Sequence, residues 1–137
     1  MAARDAALIG TTPRPLPTAG NISAGYGSAL IGGFVAAEVR RGVVVIGGLP
    51  VDDREQALPP DVPAAIRAVY TRNGGAFLAL PDESHYPARD FFNSEDHLAK
   101  PCQYLHSIAL AAPLGAMLHR PASPPPPAMA ALAAACP

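Results

Sequence analysis

The chain has 137 residues, half of them hydrophobic, with a formal net charge of −1 and no tryptophan. That length suits one core of ordinary size, built from Ala, Val, Leu and Ile rather than aromatic residues. The scattered basic residues leave no electrostatic footprint for nucleic acid or an anionic membrane surface, so neither is expected as a partner.

The first residues, "MAARDAALIGTTPRP", place Arg4 and Asp5 beside a short apolar run broken by prolines. This is too short and too polar for a signal peptide. No stretch reaches the roughly 18 apolar residues of a membrane span. The expectation is a soluble chain, with no signal peptide or transmembrane segment in it. "AALIG", residues 6–10, reads as a candidate strand leading into the turn "GTTPRP".

Two later segments resemble each other: "LIGGFVAAEVRRGVVVIGGLP" from Leu30 to Pro50, and "VPAAIRAVYTRNGGAFLALP" from Val62 to Pro81. In the first, Leu30, Ile31, Phe34, Val35 and Val39 recur at helical spacing. Gly42 is a natural helix stop, and Val43 to Ile46 is a β-branched run that predicts a buried strand. In the second, Asp61 is the expected N-cap, and Val62, Ile66, Val69 and Tyr70 form the apolar face. Asn73 and Gly74 end that helix before the strand "AFLAL". Each unit is therefore a helix, a glycine turn, a strand and a Leu-Pro exit.

Strands that are apolar on both faces and alternate with helices predict an α/β fold with a parallel sheet covered on both sides. The expected architecture is a three-layer α/β/α sandwich with a small parallel sheet. In such sheets ligands bind beyond the carboxyl ends of the strands. The loops expected there are Gly47 to Asp53 and Pro81 to Asp96. The second loop, with His97 at its end, holds Asp82, Glu83, His85, Asp90, Glu95 and Asp96. Long polar loops at that edge commonly carry function, although a solvated loop is also simply polar.

A further helix is expected from Pro101 through Tyr104, Leu105, Ile108 and Leu110, ended or kinked by Pro113. From Pro121 the sequence "PASPPPPAMAALAAACP" is of low complexity, and its proline run favours an extended conformation. This divides the chain into an α/β domain, residues 1–120, and a Pro/Ala-rich disordered tail, residues 121–137. Cys102 and Cys136 are far apart, and the second falls in that tail, so a disulfide framework is not expected.

The strand "GAFLALP", the segment "YPARDFFNSEDHL" and the helix with "HSIALAAPL" together resemble the C-terminal part of the SGNH (GDSL-like) hydrolases. The likeness runs from about Leu30 to Leu118. The family's last block is a histidine preceded by an acid, as "DxxH" or as an "FFDSxxHL" variant, and "FFNSEDHL" matches the variant at Phe91, Phe92, Ser94, His97 and Leu98. The resemblance implies a flavodoxin-like three-layer fold and serine-type ester hydrolysis or acyl transfer, with His97 as general base. The implied substrate is a small-molecule or glycan ester, with no cofactor and no metal.

The chain departs from the family in two places. Asn93 stands four residues before His97, where the variant has its acid, and Ser94 stands at the acid position of "DxxH". No Gly-Asp-Ser triplet occurs; Thr12 in "ALIGTT" offers a hydroxyl after a candidate strand, and the alternative is a serine block encoded upstream of Met1. On that alternative Gly20 to Ser23, within "AGNIS", stands for an oxyanion segment. Asp82 and Asp96 are the candidate substrate-binding acids of the loop.

Other chemistries fit less well. Asp96, His97, Cys102 and His106 lie close in sequence, but match no standard zinc spacing. Neither "GTTPRP" nor "GGLP" has a phosphate-cradling glycine pattern. Asp52 and Asp53 read as turn chemistry. Two readings therefore stand: an SGNH-like hydrolase domain, truncated or of reduced activity, or a non-catalytic α/β remnant serving as an interaction module.

Overall fold

A computed structural model describes residues 15–53 and 57–137. The candidate strand at residues 6–10 and Thr12 lie outside them. Among the described residues the fold is mixed α/β, with five α-helices and one two-stranded parallel sheet. The chain divides into two compact units, which cover residues 15–49 with 57–79, and residues 50–53 with 80–137.

The first unit holds α1 (Ala19–Ala24), α2 (Tyr26–Arg40), β1 (Ile46–Gly48), α3 (Asp61–Thr71) and β2 (Ala76–Leu78). The Thr18 hydroxyl caps α1 by accepting from the Asn21 amide at 3.1 Å. "AGNIS" is thus a short capped helix, and the Asn21 amide already has an acceptor.

Helices α2 and α3 end in the same way. After α2, Gly42 adopts φ +81°, its amide donates to the Val39 carbonyl, and the Val43 amide donates to Glu38. After α3, Gly74 adopts φ +86°, its amide donates to Thr71, and the Gly75 amide donates to Tyr70. This paired 5→2 and 6→1 bonding needs a left-handed residue, which glycine supplies without steric cost. The repeated unit seen in sequence is therefore a repeated helix ending.

The two strands pair in parallel, with Ile46 opposite Ala76, Gly47 opposite Phe77 and Gly48 opposite Leu78. The first strand begins later than the β-branched run suggests: Val43 is 46% exposed and Val44 69%. The reason is register. Residues opposite them would be Asn73 and Gly74, in the turn that ends α3, so the ladder opens only where the Ala76 amide reaches the Val45 carbonyl at 2.9 Å.

Helix α3 packs against both strands and against α1 and α2. Val35, Val62 and Phe77 are the unit's buried core. Asp61 lies inside α3 as its first residue, with Pro60 as the cap, where its charge still suits the helix N-terminus. The inner face of α2 differs from the expected one. Leu30, Ile31 and Phe34 are exposed, whereas Gly32 and Val35 are buried. A Cβ on Gly32 would come within 2.8 Å of the Asn73 amide, so α2 approaches its neighbour on the face where its side chains are smallest.

In the second unit the exits of both strands run side by side. Asp52 and His85 form a parallel bridge, the Asp52 amide donates to Ser84, and the Tyr86 amide donates back to Asp52. A 3-10 turn, Ala88–Asp90, leads to a tight reversal, and then α4 (Lys100–Met117) and α5 (Pro127–Ala133) follow. Pro113 lies within α4 and does not end it. The donor it lacks would have faced the Ala109 carbonyl, and Ala109 is exposed, so water can satisfy that group.

The C-terminal segment also departs from the disordered tail expected of it. Pro127 opens α5, where its fixed φ suits a first helical position, and an alanine-rich run with high helix propensity follows. Helix α5 packs on α4, and Cys136 beyond it forms a disulfide with Cys102. The core here is Tyr86, Phe91, Leu98 and Cys102, with Val51 and Cys136 against them.

Candidate functional site

The segment Phe91–Leu98 reverses as a small antiparallel hairpin. Phe91 bridges Leu98, the Phe92 amide donates to the His97 carbonyl at 2.8 Å, and the Ala99 amide donates to Asp90 at 2.7 Å. Alternation along the two arms sends Phe91 and Leu98 inward, at 0% and 3% exposure. Phe92 and His97 face the other way, their rings meeting edge to face at 5.7 Å between centroids.

On that outer side His97 Nδ1 lies 2.7 Å from Asn93 Oδ1. A carbonyl oxygen only accepts, so Nδ1 carries the proton and the lone pair sits on Nε2, the tautomer a general base needs. Asn93, four residues before His97, is thus the side chain that holds this ring. Ser94 is engaged elsewhere, because its hydroxyl donates to Asp96 Oδ1 at 2.6 Å. Among the described residues no serine or threonine hydroxyl hydrogen-bonds His97.

The other candidates have local roles. Asp82 Oδ1 accepts from the Ser84 amide at 2.9 Å, which stabilises a turn in which Glu83 and Ser84 adopt φ of 54° and 61°. Such left-handed conformations in non-glycine residues need compensating bonds of this kind. The side chain of Asp96 closes the hairpin tip through Ser94. The set Asp96, His97, Cys102 and His106 is not assembled as a metal site: Cys102 is in the disulfide, and His106 Nδ1 is 2.9 Å from the Tyr86 hydroxyl.

That Tyr86–His106 pair escaped the sequence reading. The rings pack edge to face at 5.7 Å between centroids, with Tyr86 in the buried cluster. Burial pushes the Tyr86 hydroxyl up to about 12, helped by the negative charges of Asp82 and Asp90. Burial also lowers His106 below the ordinary histidine range, opposed by Asp82. The available signal was weak: His106 falls four residues after Cys102 on one helix face, a spacing equally common in ordinary packing.

No family model matches the chain, and no curated protein or solved structure matches it.

Proposed function

We propose that the chain carries the histidine segment of an SGNH-like ester or acyl hydrolase of reduced activity, with His97 as general base. The observation that supports this reading is the Asn93-oriented imidazole, with Nδ1 held at 2.7 Å and the Nε2 lone pair left to accept a proton. Asn93 replaces the family's acid. It fixes the ring but adds no negative charge to stabilise the imidazolium that forms in the transition state. The nucleophile is Thr12 or a group from outside this chain, and the finer three-layer architecture belongs to the same proposal. The substrate class is a small-molecule or glycan ester.

A non-catalytic interaction module is the second reading. It is favoured by the Ser94–Asp96 bond, which makes "NSED" a closed hairpin tip. Hydrolysis of a p-nitrophenyl ester by the wild-type chain, His97→Ala and Asn93→Asp separates the two. The hydrolase reading expects His97→Ala to lose at least about a hundredfold in rate, the lower end of the usual range for a general base. It expects Asn93→Asp to gain about tenfold or more, since restoring an acid supplies the missing charge. Equal rates for all three chains would remove His97 from catalysis and leave the interaction module.

A further inference from the structure

We propose that Asp90, Cys102 and Cys136 form a binding site for a zinc-class divalent cation, opened when the Cys102–Cys136 disulfide is reduced. A carboxylate oxygen of Asp90 and the two sulfur atoms lie within 4.8 Å of one another. A tetrahedral zinc centre places such ligand atoms about 3.6–3.8 Å apart, given its usual bond lengths to sulfur and oxygen. Cleavage of the disulfide frees the two sulfurs to part towards that spacing.

Asp90 is the independent observation. It is 4% exposed, and its Oδ1 is buried without a hydrogen-bond partner. The neighbouring Arg89 approaches Oδ1 only at 3.7 Å, through a largely exposed side chain. Burying a carboxylate oxygen with nothing to accept from is unfavourable, and a disulfide has no proton to donate. A cation between the carboxylate and two thiolates would balance the buried charge of Asp90. Thiolate and carboxylate together suit a borderline-soft ion such as zinc better than magnesium or calcium.

The steps balance with a dithiol as reductant. Its two thiols are oxidised to a cyclic disulfide while the protein disulfide takes up two electrons and two protons as Cys102 and Cys136 thiols. The cation then displaces those two protons to solvent and accepts both thiolates and the Asp90 carboxylate, with water in the fourth position. Cys136 is the more accessible sulfur and Cys102 is fully buried, so attack by the reductant starts at Cys136. This site does not depend on whether His97 is catalytic.

The test uses the full chain, reduced with a dithiol that is then removed under anaerobic conditions, and cobalt(II) as the spectroscopic probe. One equivalent of cobalt is expected to produce thiolate-to-metal charge-transfer absorption, and zinc to abolish it by competition. The oxidised chain should show none. Cys136→Ser should lose most of the band, and Asp90→Asn should keep the oxidised disulfide and the helical circular dichroism while weakening cobalt affinity at least about tenfold. The proposal is overturned if the reduced wild-type chain shows no charge-transfer band, or if Asp90→Asn binds cobalt as tightly as wild type. The first result would leave Asp90 as a partner for the reduced thiols alone.

Discussion

Burial separates His97 from His106, two of the four histidines of the second unit. His97 is exposed and is held by one bond to Asn93, whereas His106 is half-buried against Tyr86. The lowered His106 value means that the unfolded chain takes up a proton more readily than the folded one. Its contribution to stability is therefore present above the ordinary value of 6.5 and lost as pH falls through the depressed one. Chemical denaturation between neutral pH and pH 5 should show this loss, and His106→Gln should flatten it. Tyr86 acts at the other end of the scale: its contribution is complete below 10.0 and lost as pH rises towards about 12. At the hairpin, Phe91→Ala should cost about 3–5 kcal/mol in urea unfolding, as expected for a fully buried aromatic. A loss under 1 kcal/mol would mean that the core collapses around the gap. The residue types at "FFNSEDHL" were legible in sequence, but which of them face inward was not, because that depends on the reversal at Asn93–Asp96.

At the scale of elements, local chemistry and register had separate consequences. Gly42 and Gly74 stand where the sequence placed helix stops, because the left-handed cap is a property of a few neighbouring residues. The start of β1 was displaced, since a strand exists only where a partner offers hydrogen bonds. Gly47 in that strand lies against the Tyr70 ring, and a Cβ there would come within 2.5 Å of it. Gly47→Val should therefore destabilise the first unit by more than about 1 kcal/mol through overpacking, measurable as a fall in its unfolding midpoint. The α5 segment shows the opposite dependence. Its proline run reads as extended in isolation, and the helix that follows is fastened by contact with α4 and by a disulfide spanning 34 residues. Chain-entropy reasoning puts that cross-link at about 4 kcal/mol. Reduction without added metal should lower the stability of the second unit by a comparable amount.

For the whole molecule, the two units have separate buried cores: Val35, Val62 and Phe77 in one, and Tyr86, Phe91, Leu98 and Cys102 in the other. Two cores in one chain allow two transitions. A dithiol is expected to shift the transition of the disulfide-bearing unit and leave the other in place, which hydrogen exchange resolved by segment would show. Protection lost equally from α3 and α4 would mean instead that the units unfold together. Chain length did not indicate this division, because length limits how large a core can be and not how many cores form.

By itself the sequence determined the helix–glycine–strand repeat and the parallel pairing it implies. These follow from short-range chemistry: turn residues and apolar runs. Tertiary structure decided the rest. It chose the buried face of α2, set the first paired residue of β1, and ordered the C-terminal segment through Cys136. It also brought Asp90 to the two sulfurs and His106 to Tyr86. Each of these depends on which distant surfaces meet, and burial and pairing are properties of that meeting rather than of any one segment.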